Sequence, residues 1–130
     1  MLKPGDKFTE VFVVSDDIYK GFVKLFKDKN PLHIDEKYAI EKGFEDIVMH
    51  GNMLNGFLSY FIGECLPIRN VVIHSQNIKY IKPVYLYDKL HLFAQIDDVF
   101  ESVNVVEISF VFSNQDAVKV AKGSISIGLI

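Results

Sequence analysis

The chain has 130 residues, 49% of them apolar and 24% charged, and a formal net charge of -3. That balance excludes a disordered or fibrous chain and suits one globular domain over residues 1–130, while a slightly acidic surface offers nothing to nucleic acid. The single cysteine, Cys65, rules out an internal disulfide and any zinc cluster built on cysteines. The apolar runs fall short of the ~20 residues a membrane span needs, and the first residues lack the pattern of a secretory signal, so a cytoplasmic protein is expected.

In chain order, Lys7 to Val14 has strand composition and stops at Ser15-Asp16-Asp17. Ser15 is placed to cap a helix over Asp16 to Phe26, with two carboxylates in its first turn and Ile18, Phe22 and Leu25 at helical spacing. Pro31 pushes Asn30 towards an extended backbone, so Asp28 to His33 is expected to be an ordered turn or loop. Asp35 can cap a short helix through Lys42, with Gly43 where helices commonly end left-handed. From Gly51 to Cys65 the apolar positions Met53, Leu54, Phe57, Leu58, Phe61 and Ile62 cover most of a helical circumference, which predicts a helix buried on nearly all sides. Gly56 and Gly63 share a face of that helix, and the spacing predicts a close backbone neighbour there.

After Pro67 the period becomes two. Leu90, Leu92, Ala94 and Ile96 form one row, Val106, Ile108, Phe110 and Phe112 a second, and Ala121, Ile125, Ile127 and Leu129 a third that Gly123 interrupts. With Val71 to Lys82 and the N-terminal strand, the expectation is an α+β fold: a curved antiparallel sheet of about five strands wrapped around one long central helix.

One short segment concentrates reactive groups. Asp28 and His33 flank Asn30-Pro31, so a stiff turn can aim a carboxylate and an imidazole at one small volume and do acid and base work on one water. A turn-capping aspartate and a histidine that merely satisfies backbone groups would leave the same trace. Further on, His50-Gly51-Asn52 opens the long helix, where free N–H groups and the positive dipole end suit an anion or a carbonyl oxygen gaining charge.

The run Phe26-Lys27-Asp28-Lys29-Asn30-Pro31-Leu32-His33-Ile34-Asp35, followed by Ala39, resembles the signature of the (R)-specific enoyl-CoA hydratases, or MaoC-like dehydratases. Ile47 to Leu54 looks like their second motif, and Ile81-Lys82-Pro83-Val84 with Asp88-Lys89-Leu90 is similar to their strand-turn-strand segment. The resemblance implies a single hot-dog domain, a homodimer or higher homo-oligomer whose sheets join, and a hydro-lyase acting on acyl-CoA or acyl-carrier-protein thioesters. Asp28 and His33 fall on the family's catalytic pair, Gly51 on the residue whose N–H faces the thioester oxygen, and Ser59 on a serine near the site. Asn30, Ser59 and Phe57 are the substrate-binding residues expected on this basis. No cofactor is implied, because coenzyme A or the carrier protein enters with the substrate. The chain departs from the family where Phe26-Lys27 replaces a small residue and glycine, and where Tyr87-Asp88 replaces Gly-Asp. Lys27 is placed either to lower the pKa of Asp28 or to point into solvent.

Other groups read more plainly. The spacing of His33, His50, His74 and His91 fits no known metal cluster. Cys65 reads as a small core residue, and Ser59 lacks a nucleophile elbow. Phe22, Phe26, Phe44, Phe57 and Phe61 suit an acyl tunnel or, each taken singly, ordinary core, and scattered cations such as Arg69, Lys79, Lys82, Lys119 and Lys122 suit a solvated surface. A hot-dog thioesterase would carry an acid on the central helix, where only Glu64 stands, at the far end. A non-catalytic acyl-binding subunit is the third reading, against which the intact Asp28 and His33 argue.

Overall fold

Alternation along the second half builds the sheet. A computed structural model describes residues 1–130 and orders five antiparallel strands β1-β3-β4-β5-β2. These are β1 (Lys7–Val13), β2 (Val71–Tyr80), β3 (Lys89–Phe100), β4 (Val105–Ser113) and β5 (Lys119–Leu129). Leu90, Leu92, Ala94 and Ile96 of β3, and Val106, Ile108, Phe110 and Phe112 of β4, all point inward and are buried. On the first strand Phe12 stacks on Phe57 at 4.7 Å between ring centroids and Phe8 meets Phe61 edge-on at 6.0 Å. Register shifts at Ile73/Ser75, Ile96/Asp98 and Phe112/Ser113 bend the strands, which lets the sheet curl.

Four helices accompany it: α1 (Asp16–Phe26), α2 (Pro31–Ile34), α3 (Glu36–Glu41) and α4 (Asn52–Tyr60), the last continuing into a π-helical turn over Phe61–Cys65. Ser15 and Asp35 cap α1 and α3 as their side chains dictate, accepting from the N–H groups of Ile18 and Tyr38. The segment around Pro31, expected to be a loop, contains one helical turn. Asn30 accepts from Leu32 N–H as its cap and Pro31 takes the first helical position, where a missing N–H costs nothing.

The central helix departs from expectation. Met53, Leu54, Phe57, Leu58, Phe61 and Ile62 press into the sheet, but Asn52, Gly56, Ser59, Tyr60, Gly63 and Glu64 form an exposed face. A helix whose apolar residues span much of its circumference is thus buried on one side only, because the sheet curls around that side. Gly56 and Gly63 have no close backbone neighbour either; a Cβ at either position would meet nothing within 4 Å. The close approach lies instead between strands, where a Cβ on Gly123 would fall 1.8 Å from the carbonyl oxygen of Asn77. No helix is long and apolar enough to cross a membrane.

Candidate active site

The site begins where α1 ends. Lys27 closes the helix in the left-handed conformation with φ 61°, its N–H bonded to the carbonyl of Val23 at 2.8 Å. The chain then turns sharply. Asp28 accepts from Asn30 N–H through Oδ1 at 3.1 Å, and α2 carries His33 round so that its Nε2 lies 3.9 Å from Asp28 Oδ2. This separation is too long for a direct hydrogen bond. A single small oxygen set aside from the line between them can lie ~2.8 Å from both. Lys27 forms no ion pair with Asp28; the only ionisable partner within 4.0 Å of that carboxylate is His33.

His33 is held at three points. Its Nδ1 bonds the carbonyl of Val48 at 2.7 Å, which places the hydrogen on Nδ1 and leaves Nε2 to face the carboxylate. Tyr19 donates its hydroxyl to the carbonyl of His33 at 2.6 Å, and burial raises that phenol above its ordinary value, followed in effect by Asp16, so the proton stays in place. The third contact is His50, whose ring stacks on His33 with centroids 4.0 Å apart. His50 is buried, and its Nε2 donates to the carbonyl of Asp28 at 2.9 Å. One histidine thus braces both members of the pair. Nδ1 of His50 is left buried without a partner.

Ligating atoms of Asp28, His33 and His50 lie within 4.8 Å of one another, a grouping the sequence spacing did not suggest. They do not make a convincing cation site. Each imidazole already spends one nitrogen on a backbone carbonyl, and the two rings are stacked with 27° between planes. Lone pairs that lie in nearly parallel planes cannot converge on one ion ~2.0–2.1 Å from both nitrogens.

Gly51 precedes the first turn of α4, and its N–H has no hydrogen-bond partner. It lines, with Asp28, His33 and His50, a cavity of about 390 Å³. Across from it stands Tyr80, whose ring would lie 2.8 Å from a Cβ at position 51, so glycine is what fits there. Burial raises the Tyr80 phenol above its ordinary value, with the nearby Asn55 amide acting in the other direction. Asn55 donates to Asn52 at 2.8 Å and accepts from Gln76, which accounts for two asparagines in the opening turn of a core helix.

Among the residues expected from the sequence, Asp28, His33 and Gly51 share this cavity, and Phe57 lines a neighbouring one. Asn30 is exposed and spends its side chain capping α2. Ser59 is exposed on the open face of α4 and lines neither cavity. Of the five phenylalanines, Phe22, Phe26 and Phe57 line cavities, whereas Phe61 is core and Phe44 lies elsewhere. Glu64 pairs with Arg69, away from the site. Cys65 is half-buried at the core's edge; burial, then the Glu10 carboxylate, push its thiol up to about 11, so it is unreactive near neutrality. His50 and Tyr80 escaped the sequence reading as members of the site. The His-Gly pair was a signal for the first; nothing in the sequence marks the second.

A family model described as "MaoC like domain" matches residues 7–115. The chain belongs to this family. Within the MaoC-like family it is 29% identical over 126 residues to a mitochondrial 3-hydroxyacyl-[acyl-carrier-protein] dehydratase of Arabidopsis thaliana, covering 95% of this chain and 75% of that one. It is 33% identical over 88 residues to an (R)-specific enoyl-CoA hydratase of Rhodospirillum rubrum, covering 67% of this chain but 60% of the relative's length. Among solved structures, the (R)-hydratase of A. caviae involved in PHA biosynthesis superimposes with a TM-score of 0.90 over 99% of this chain and 98% of that one, at 22% identity. That likeness establishes the hot-dog fold: a MaoC-like helix held in a curved five-stranded sheet.

Proposed function

We propose that the protein is a hydro-lyase that adds water, with (R) specificity, to trans-2-enoyl thioesters and removes it from (R)-3-hydroxyacyl thioesters. The observation that carries this reading is the pairing of Asp28 and His33 across 3.9 Å beside the unpartnered Gly51 N–H in one cavity. The relatives bearing hydratase and dehydratase names agree with it.

In the hydration direction the thioester carbonyl accepts from Gly51 N–H at the positive end of α4, so the enolate-like charge is stabilised as it forms; one such donor is typically worth ~3 kcal/mol. Asp28 and His33 share one proton between them at the start. The unprotonated member takes a proton from water as its oxygen bonds C3, and the protonated member delivers its own to C2. The pair ends with one proton again, in exchanged places, ready to run the same step in reverse. The chemistry asks for no cofactor, since coenzyme A or a carrier protein arrives as part of the substrate. A homodimer is proposed as the working form, joined through β2, an edge strand of the sheet whose Gln76 bonds Asn55 of α4.

The test is crotonyl-CoA given to the purified protein. Loss of the conjugated enoyl absorbance without thiol release, yielding (R)-3-hydroxybutyryl-CoA, is expected. Thiol release would instead identify a thioesterase, and binding without turnover a non-catalytic subunit. Glu64 is tied to Arg69 and lines neither cavity, which counts against hydrolysis.

A further inference from the structure

Gly51 N–H is a single donor at the start of α4, and an oxygen on which a full charge develops is served better by two. A second donor stands within reach. Tyr80 closes β2 opposite Ala121 of β5, and the next two residues, Ile81 and Lys82, both bond the carbonyl of Val120, at 2.8 and 3.2 Å, so a fixed strand end carries the ring. It lines the same cavity as Asp28, His33 and Gly51. Its hydroxyl oxygen lies 3.1 Å from where a Cβ on Gly51 would stand, and covalent geometry puts that point ~2.5 Å from Gly51 N. The two donor atoms are therefore no more than ~5.6 Å apart. One oxygen accepting from both at ~2.8 Å can bridge that span.

We propose that Tyr80 is a catalytic residue, whose phenol O–H donates, together with Gly51 N–H, to the thioester carbonyl oxygen and stabilises it as enolate-like charge builds. This rests on the hydratase reading. The phenol keeps its proton throughout, and the protons that move remain those of Asp28, His33 and water.

The surroundings leave the phenol hydrogen available. Asn55, in the first turn of α4, accepts from Gln76 and donates to Asn52 at 2.8 Å, so its amide is held at both ends. That amide acts to lower the Tyr80 phenol, the direction produced by an N–H aimed at the phenol oxygen. An oxygen that accepts from Asn55 has its own hydrogen to give to the cavity. Burial is the larger effect and raises the phenol, so it stays protonated near neutrality, as a donor must. Tyr19 makes the contrast, because its hydroxyl is spent on the carbonyl of His33. Phenylalanine at position 80 would set the same ring against Gly51, so packing alone does not account for the hydroxyl.

The experiment compares the wild type with Tyr80→Phe, which removes only the hydroxyl from a half-exposed ring and so leaves folding intact. Two quantities are read: turnover of crotonyl-CoA, and the infrared carbonyl stretch of bound butyryl-CoA isotope-labelled at the thioester carbon, which has no double bond to hydrate. Tyr80→Phe should lower kcat at least tenfold with KM within threefold, and the carbonyl stretch, displaced to lower frequency on binding the wild type, should lose part of that displacement. Lys79→Ala, at the neighbouring exposed position of β2 and outside both cavities, should leave kcat within twofold and the stretch in place. An unchanged kcat in Tyr80→Phe would overturn the proposal. So would a lowered kcat with the wild-type stretch, since the hydroxyl would then act without touching the carbonyl. A stretch that depends on Tyr80 in a protein that never hydrates crotonyl-CoA would uphold the carbonyl contact and sink the hydratase reading; normal hydration with a stretch indifferent to Tyr80 would do the reverse.

Discussion

The segment from Ser15 to Val48 and the sheet with its helix are built on different physics. Between residues 15 and 48 only Ala39 is buried, although this stretch carries both Asp28 and His33. From Leu90 to Ile96 of β3 and along β4 every second residue is buried, and Leu58 and Phe61 of the central helical segment are 0% and 1% exposed. The reactive stretch is shaped by directed hydrogen bonds, three within it, Val48 N–H to Leu32 O at 3.0 Å, His33 Nδ1 to Val48 O and Tyr19 to His33 O, and one from the start of the central helix, His50 to Asp28 O. Polar bonds fix direction, and apolar burial fixes stability. Substitutions in the first region should therefore move activity with little effect on folding, and those in the second should do the opposite.

The sharpest separation is expected from Asp28→Asn. Asparagine keeps an oxygen for Asn30 N–H, and the aspartate side chain is 49% exposed, so the fold should lose little. Hydration of crotonyl-CoA should drop by at least ~10³-fold, about 4 kcal/mol of transition-state stabilisation, with the thermal midpoint nearly unchanged. A stopped-flow trace of enoyl absorbance beside a melting curve checks both halves. Full activity would remove Asp28 from the chemistry.

Leu58→Ala reverses the pattern. A leucine at 0% exposure leaves a cavity when truncated, and about 3 kcal/mol of stability should be lost in urea titration. Leu58 lines neither cavity, so kcat/KM at a temperature where the variant is folded should match the wild type.

His50→Phe tests the join between the two regions. Phenylalanine preserves a ring against His33 and removes the buried, unpartnered Nδ1, but it leaves the Asp28 carbonyl without its donor. Stability should stay close to wild type while kcat falls ~10-fold, about 1.4 kcal/mol, with KM little changed. His50→Gln, which can donate again, should recover part of the loss. A variant whose Tm and kcat fall together would mark His50 as core alone.

This division also explains what could be read from the residues. Leu90 to Ile96 and Val106 to Phe112 declare their strands because a half-buried sheet imposes period two on the sequence itself. Ser15 and Asp35 declare their helix starts because capping is a local bond, and Asp28 with His33 is legible because they lie only five positions apart. The His50 bond to Asp28 O joins positions 22 apart, and nothing local encodes it. The open face of α4 was hidden for a related reason. Apolar count along a helix tells how much it can bury, whereas the curl of a sheet decides which side it does bury. Gly56 and Gly63 misled because glycine can signal either a close neighbour or an empty space.

The smallest effect concerns two turns where the resemblance leads one to expect glycine. Lys27 and Tyr87 both have positive φ, 61° and 72°, where a side chain costs ~1–2 kcal/mol and glycine costs little. Tyr87 is the clean test, since Lys27 adjoins Asp28. It is 66% exposed, and its turn is held by backbone bonds that glycine retains: Tyr87 N–H to Val14 O at 2.8 Å and Asp88 N–H to Tyr85 O at 3.1 Å. The buried Asp88 carboxylate, accepting from Tyr85 N–H and Gln115, locks the same turn. Glycine also gains freedom in the unfolded chain, which offsets part of the relief, so Tyr87→Gly should stabilise by a net ~0.5–1 kcal/mol and raise Tm by about 3 °C. A lowered Tm would show that the exposed ring, and not the backbone, is what the turn depends on.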